Sequence, residues 1–277
     1  LSVNYRGIFY NKRMLEKDGY QIPSTYAELI QTMQQIKKAG KLPIVFADKD
    51  SWTLHQGWDA IDMSSRGSQD NLFQNVLNGT TVLYEDPIAL DSTRKFLEIR
   101  QYGQKQTINT GYDEAVKKFA KGEAYMFLQG NWAYPIIKKI NPYMDLLFMP
   151  FPTYNENQAR VVVKIDATLG VSASCKHPEA AGKFLDYVFS KNVSEYYADQ
   201  AGAYSCIKSV DVEDNYAKVF TDSIRSGEFF LEEFAYESEK TDARDALFQN
   251  LISSPQTYTE RAFLKEWNDL LILQKGA

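Results

Sequence analysis

The chain has 277 residues, enough for one large domain or two modest ones. Hydrophobic residues make up 44% and charged residues 24%, the proportions of an ordinary globular protein. A net charge of −5 argues against nucleic acid as a partner, because phosphate binding needs a basic face and the Lys and Arg residues are scattered among acids. The apolar runs are shorter than the ~20 residues that a membrane helix needs.

Aromatic residues are abundant, with 18 Tyr and 16 Phe in an aromatic share of 14%. A tyrosine ring offers a flat apolar face and a polar end, which suits the binding of polar ligands. The same composition is also typical of a protein that simply packs many tyrosines in its core and on its surface. Composition alone leaves both interpretations open.

Helical and strand signals alternate along the chain, which predicts a layered α/β fold. The clearest helix is predicted over 23–40, where Thr25 and Glu28 form a capping box. A buried strand is predicted over 42–47. The next helix is predicted over 86–102, with a proline in its first turn, where the missing N–H costs nothing.

A short helix over 113–121 precedes a buried strand over 124–128. That strand breaks at Gly130 and delivers Asn131 and Trp132 to a tight turn. The remaining predicted elements are a helix near 134–141, an extended segment over 147–153, a strand over 161–173, a helix from Pro178, helices near 194–201, 212–226 and 240–252, and a closing amphipathic helix with Phe263, Trp267, Leu270 and Leu271 on one side.

Four passages carry a family resemblance, and together they cover roughly 7–210. They are GIFYNKRMLEKDGYQIPSTYAELIQTMQQIKKAG (7–40), FAKGEAYMFLQGNWAY (119–134), ATLGVSASCKHPEAAGKFLDYVFS (167–190) and GAYSCIKS (202–209). In this order and at these spacings they resemble the family 1 extracellular solute-binding proteins, the sugar-binding receptors of ABC importers. The last passage matches less well, because Cys206 stands where the family usually has proline.

The resemblance implies a periplasmic-binding-protein-like (type II) α/β fold of two lobes joined by a hinge. In that family about a hundred residues precede the segment that begins here at residue 7, so the first lobe is expected to be incomplete in this chain. We expect residues 1–6 to form a hinge segment, 7–160 and 211–277 the second (C-terminal) lobe, and 161–210 an inserted portion of the first (N-terminal) lobe. The export signal and any lipidated cysteine would lie in the missing portion.

The resemblance also implies the function. It is that of a non-catalytic, extracytoplasmic carbohydrate-binding receptor, in a periplasm or lipid-anchored at a bacterial cell surface. The receptor would deliver a sugar or oligosaccharide to the permease subunits of an ABC importer. No cofactor is expected, the membrane is reached only through a lipid anchor or the permease, and the protein is expected to be a monomer.

Sugar sites combine flat aromatic faces, which stack on the C–H surface of a pyranose ring, with a few well-placed polar groups in a cleft. Trp132, at the rim where strand 124–128 ends, is the first candidate, and plugging the end of the core is its alternative role. Trp52 is expected on a loop after strand 42–47, beside Asp50, as a stacking wall with a hydroxyl acceptor or as a cover for the core. Trp58 and Trp267 are expected to be core residues.

Further polar candidates follow from the family pattern. Asp166 interrupts an apolar strand where the family chain crosses between lobes, so it is either a sugar ligand or a hinge hydrogen-bonding residue. Asn4 lies on the other side of the hinge, at a position where the family often places a cleft-facing polar group. Tyr204 is placed near the re-entry to the second lobe, and Asn131 is included beside Trp132 in the same turn.

Enzyme and metal motifs are not found in the sequence: there is no G-x-S-x-G, G-x-G-x-x-G, P-loop or H-E-x-x-H. Neither His55 nor His177 has a second ligand at metal spacing, so no metal site is predicted. Cys175 and Cys206 do not make a disulfide framework, although a single bridge between them is left open. Two alternatives stay open for function: a carbohydrate-active hydrolase, since Asp and Glu are plentiful enough to supply paired carboxylates, and a receptor for a non-sugar solute such as a polyamine or metal chelate.

Overall fold

The computed structural model describes residues 2–66, 70–153, 159–166, 168–208, 210, 215–231 and 241–275. A seven-stranded mixed sheet organises these residues, with the order β2-β3-β1-β5-β7 and with β4 and β6 also paired to β1. The strands are β1 (Ser2–Asn11), β2 (Leu42–Val45), β3 (Ala124–Gly130), β4 (Leu146–Met149), β5 (Val161–Ile165), β6 (Tyr204–Ser205) and β7 (Phe229–Leu231).

The first strand is the centre of this sheet, because four other strands pair with it. The half of β1 nearer its C-terminus pairs antiparallel with β3, from Arg6 opposite Gly130 to Tyr10 opposite Met126, and with β4. The N-terminal half pairs antiparallel with β5 and, at two residues, with β6. One unbroken strand therefore joins two sets of partners.

Helices cover both faces of the sheet. The capping box predicted at the start of α2 is confirmed, with the Thr25 side chain accepting from the backbone N–H of Glu28 and the Glu28 carboxylate accepting in return. The helices are α1 (Lys12–Lys17), α2 (Tyr26–Lys38), α3 (Trp52–Ser64), α4 (Leu72–Leu77), α5 (Pro87–Arg100), α6 (Tyr112–Ala120), α7 (Ala133–Ile140), α8 (Pro178–Val188), α9 (Lys191–Ala201), α10 (Lys218–Ser226), α11 (Thr241–Ser253) and α12 (Glu260–Lys275).

Two hydrophobic clusters lie on opposite sides of β1. Alternate residues of the strand face opposite ways, so Ile8 and Tyr10 join a first cluster with α2, α3, α5, α11 and α12, while Tyr5 and Phe9 join a second with α6, α7 and α10. Trp58 and Trp267 both belong to the first cluster, 0% and 4% exposed, with their rings packed edge to face. The prediction that these two tryptophans are core residues is confirmed.

Helix α8 packs differently from the others, since none of its residues is buried. Its large apolar side chains face outward, and Phe184 and Tyr187 are exposed. The amphipathic pattern that predicted this helix is therefore present without a covering surface among the described residues.

Most predicted elements are confirmed within a few residues at their ends, but two predictions are wrong. The strand predicted over 161–173 ends at Ile165, which is opposite Val3 near the start of β1. Trp52 is not on a loop: it is the first residue of α3. The predicted helix over 212–226 is observed as α10 after a short 3-10 turn at Asn215–Ala217, and residues 212–214 of that prediction lie outside the described residues.

Candidate functional site

The candidate site lies where β2 and β3 end. These two strands run parallel, with Leu42 opposite Ala124 and Val45 opposite Phe127, so their carboxyl ends meet at one edge of the sheet. The chain leaves β2 toward Trp52 and leaves β3 at Gly130, directly before Trp132. Edges of this kind are where α/β sheets commonly place ligand sites.

The indole of Trp132 lies against the backbone of Gly130. A Cβ at Gly130 would come within 2.0 Å of the indole ring, so only glycine leaves room for this arrangement. Trp132 is half-buried, and its Nε1–H is buried with no hydrogen-bond partner among the described residues. The ring is therefore neither enclosed in the aliphatic core nor fully exposed, and it keeps an unused donor.

Three aromatic rings meet at this edge. The Trp52 and Trp132 rings are 6.1 Å apart at an interplanar angle of 56°, and Tyr112 lies 5.2 Å from Trp52 at 55°. All three side chains are partly buried. The sequence prediction missed Tyr112, although its position directly after Gly111 at the start of a helix was a weak signal.

Asp50 has a structural partner. Its Oδ2 accepts from the backbone N–H of Tyr112 at 2.5 Å, which satisfies a free donor at the start of α6 and fixes the Tyr112 ring beside Trp52. The neighbouring Asp48 is 1% exposed and paired with the Arg100 guanidinium through bonds of 2.9 and 3.0 Å. Of these two carboxylates, only Asp50 reaches the aromatic edge.

Asn131 is completely buried, and its side chain bonds only to backbone groups. Its Oδ1 accepts from the N–H of Tyr5 at 2.9 Å, and its Nδ2 donates to the carbonyl of Gly202 at 2.8 Å. Its backbone N–H donates to the Tyr5 carbonyl at 3.1 Å. With these groups engaged, the arrangement gives Asn131 a role in holding the chain rather than in contacting a ligand.

The other polar candidates divide between the two faces of β1. Asn4, 9% exposed, lies on the same face as Arg6 and Ile8, the face covered by α3. Tyr204 pairs with Val3 and packs with it against the second cluster, on the opposite face. The structure therefore brings Asn4, and not Tyr204, to the face on which the Trp132 ring lies.

Asp166 is exposed and directly follows β5. Its backbone N–H donates to the carbonyl of Ser2 at 3.0 Å, which places it beside the first residues of β1. Its backbone is therefore held at the end of the sheet, beside Ser2, which is two residues along β1 from Asn4.

A buried ion pair that the sequence prediction missed lies beside the aromatic edge. Arg6, which is opposite Gly130 in the sheet, is 4% exposed and donates to Asp59 of α3 at 3.1 Å. A charged residue inside the apolar strand VNYRGIFYN was the available signal. The pair fixes the middle of α3 against β1.

The start of α11 packs on α3 through a second buried polar group. His55 contacts the Asp245 carboxylate at 3.3 Å and the Arg244 guanidinium at 3.1 Å, and Ser51 donates to the same carboxylate at 3.1 Å. Burial lowers the pKa of His55 to about 4, and the nearby positive charges of Arg244 and Arg6 act in the same direction. His55 is therefore neutral at pH 7.

Both cysteines, Cys175 and Cys206, are free thiols in this structure. Within the described residues, no group of three or more His, Cys, Asp or Glu side chains is arranged to hold a metal ion. In that same part of the chain, no helix has both the length and the apolar character required to span a bilayer.

Comparison with known proteins identifies a family for most of the chain. The family described as bacterial extracellular solute-binding protein matches residues 1–194. A multiple sugar-binding protein of Streptococcus mutans is 27% identical over 220 residues, which are 78% of this chain and 52% of that protein. The chain therefore spans about half the length of this curated relative.

Solved structures share the fold. A solute-binding protein, RafE, in complex with raffinose superimposes with a TM-score of 0.82 at 24% identity, over 99% of this chain and 72% of that one. A chitin oligosaccharide binding protein gives a TM-score of 0.83 at 19% identity, over 99% of this chain and 70% of that one. The expectation of a periplasmic-binding-protein-like α/β fold is confirmed.

Proposed function

This chain belongs to the family of bacterial extracellular solute-binding proteins. On this basis we propose that the protein is a carbohydrate receptor of an ABC importer. It binds a sugar or oligosaccharide outside the cytoplasm and delivers it unchanged, without catalysis. The observation that carries the proposal is the pair of partly buried tryptophans, Trp52 and Trp132, side by side at the edge where two parallel strands end.

In the proposed site, the sugar stacks on Trp132 and is flanked by Trp52. Asp166 and Asn4 supply hydrogen bonds from the neighbouring end of β1, and Asp50 supplies them from beside Trp52. Tyr204 lies on the opposite face of β1, where it packs against the second cluster, so we assign it a packing role and not a contact with the sugar.

The proposed lobes follow the boundaries predicted from the sequence, with residues 7–160 and 211–277 in one lobe, 161–210 in the other and 1–6 in the hinge. The bare apolar side of α8 supports this division, because Phe184 and Tyr187 are exposed as expected of a helix that packs against a further part of its lobe. A sugar that contacts both lobes stabilises their closed arrangement, which is the form that the permease subunits recognise. The receptor is a monomer, and a lipid anchor or the permease is its link to the membrane.

The test uses the native polypeptide with its own termini. Mass spectrometry identifies any sugar retained after purification, and calorimetry measures binding to raffinose, stachyose, maltose and chitin oligosaccharides, the sugars named with similar structures. Trp132→Ala and Trp52→Ala should each weaken binding by about 30-fold or more, since a buried aromatic anchor contributes ~2 kcal/mol.

Tyr143→Ala is the matched control, because Tyr143 is an aromatic residue that is 87% exposed on the loop between α7 and β4. Its affinity should equal that of the unmodified protein. The proposal fails if no carbohydrate binds, or if the two tryptophan variants bind as tightly as the control. Release of a chromophore from aryl glycosides would instead support a hydrolase.

A further inference from the structure

The strand β1 changes partner at Tyr5 along one of its edges. Because β3 and β5 lie on opposite sides of β1 and Val3 pairs with β5 as well as with β6, the short strand β6 lies on the β3 side. On that side β3 pairs from Arg6 onward and β6 pairs at Ser2 and Val3 only. The backbone of Tyr5 therefore has no strand opposite it there.

Asn131 fills this gap in the sheet. Its Oδ1 accepts from the Tyr5 N–H at 2.9 Å and its backbone N–H donates to the Tyr5 carbonyl at 3.1 Å, the two bonds that a paired strand residue would make. Asn131 thus makes the hydrogen bonds that a paired strand residue would make at this position between β3 and β6. The two bonds satisfy a backbone donor and a backbone acceptor of the buried residue Tyr5.

The third bond of Asn131 reaches the segment that leads into β6. Its Nδ2 donates to the Gly202 carbonyl at 2.8 Å, and that carbonyl also accepts from the Tyr216 hydroxyl at 3.1 Å. Gly202 has a φ of +58°, and a Cβ there would lie 3.0 Å from Tyr134 and from Pro135. Contacts on several sides therefore fix the position of this carbonyl closely.

The next residue along the chain is Trp132, whose ring rests on Gly130. Asn131 therefore connects the turn that carries Trp132 to the carbonyl of Gly202, which lies just before β6. We propose that Asn131 is a positioning residue that couples the placement of the Trp132 indole to the Gly202 segment. When that segment moves relative to β3, the Nδ2 bond transmits the movement to the ring on which the sugar stacks. This inference rests on the proposed function.

The substitution Asn131→Asp tests the coupling with minimal change of shape. The aspartate still accepts from Tyr5, but its ionised form cannot donate to the Gly202 carbonyl, whereas its protonated form can. Arg6, which is opposite Gly130 in the sheet, is paired with Asp59. The Tyr216 hydroxyl donates to the same Gly202 carbonyl and lies 3.1 Å from the Tyr5 hydroxyl. Because burial raises the pKa of a carboxyl group, affinity is compared at pH 9 and pH 6. Relative to the unmodified protein, sugar affinity should fall about 10-fold at the pH where the aspartate is ionised and recover where it is protonated.

Asn141→Asp is the matched control. The Asn141 Nδ2 also donates to a backbone carbonyl, that of Ala120 at 2.9 Å, at the far end of α7. This variant loses a bond of the same kind away from the site, so its stability should drop while its affinity stays unchanged at both pH values. Trp132 fluorescence, taken as the difference between each protein and its Trp132→Phe counterpart, should shift with pH in Asn131→Asp and stay constant in Asn141→Asp.

The outcomes separate the two proposals. If the unmodified protein binds no sugar, the proposed function fails, and the Trp132 fluorescence still decides the coupling without ligand. If sugar binds and folded Asn131→Asp keeps full affinity, or loses it equally at both pH values, the coupling is overturned. Should Asn131→Asp not fold at neutral pH, Tyr216→Phe decides: it removes the other donor to Gly202 and should weaken binding a few-fold, and unchanged affinity and fluorescence would refute the coupling.

Discussion

Protonation of His55 is expected to destabilise the folded protein as the pH falls below 6.5. The side chain is 7% exposed between α3 and α11, with Asp245 on one side and the guanidinium of Arg244 on another. Burial and the adjacent positive charges lower its pKa to about 4, and the hydrogen bond to Asp245 offsets only part of this shift. In the unfolded chain the pKa returns to about 6.5.

The sign and the size follow from these two pKa values. Between pH 6.5 and 4 the unfolded state binds a proton at His55 that the folded state does not, so stability falls as the pH falls. With a folded pKa of about 4 and an unfolded pKa of about 6.5, the loss relative to pH 8 is about 2 kcal/mol at pH 5 and about 3 kcal/mol at pH 4. Above pH 6.5 the contribution does not change.

The assay is urea unfolding of the unmodified protein and of His55→Gln at several pH values from 8 to 5. Carboxylates that do not contact His55 cancel in the difference, and in the unmodified protein the lowered pKa of Asp245 keeps it ionised over this range. The unmodified protein should therefore lose about 2 kcal/mol relative to the variant. His177→Gln is the control, since His177 is the other histidine and is exposed. A difference that is constant with pH, or an NMR titration of His55 with a midpoint near 6.5, would refute the reasoning.

Three further predictions concern separate parts of the chain. Gly130→Ala should lower sugar affinity at least 10-fold with the fold retained, because a Cβ 2.0 Å from the Trp132 ring must displace the indole; calorimetry measures it. Arg66→Met should reduce the free energy of unfolding by about 3–5 kcal/mol, because this 2% exposed side chain pairs with three aspartates that would lose their partner. Cys175 and Cys206 should both react with a thiol reagent in unreduced, denatured protein.

Each of these has a control or a contrary outcome. Gly182→Ala, on exposed α8 with nothing within 4 Å of the added Cβ, should leave affinity unchanged. Arg94→Met removes another arginine that pairs with aspartate, but at an exposed position, and should change stability by less than about 1 kcal/mol. A thiol count near zero would mean that the two cysteines form a bridge.

Local signals in the sequence were sufficient for much of the fold. The capping box at Thr25 and Glu28 and the apolar stripe containing Trp267 each depend on residues a few positions apart. The capping box is present as predicted, and three of the four residues predicted for the stripe lie in the first cluster: Phe263, Trp267 and Leu271. The start of α3 carries no such signal, because the Ser51 side chain makes no capping hydrogen bond. The sequence therefore predicts a loop at Trp52, whereas the structure has the first turn of α3 there.

Tertiary pairing explains why the site was predicted only in part. The family pattern proposed Trp132, and the position after strand 42–47 proposed Trp52. The face on which Tyr204 lies depends on its register with Val3, a residue distant in sequence. The bonds of Asn131 to Tyr5 and Gly202 likewise join residues that only the folded sheet brings together. A single sequence contains no local signal for either relationship.

The central position of β1 has a consequence for how the molecule is made. This strand leaves the ribosome before all of its partners, and the nearest of them in sequence, β3, begins only at Ala124. Among the described strands, β1 has no partner for its apolar residues and hydrogen-bonding edges until β3 and the later strands are synthesised, which makes the nascent chain slow to fold and prone to aggregation. A holding chaperone that binds residues 2–11 would protect the sheet until its last strands are synthesised.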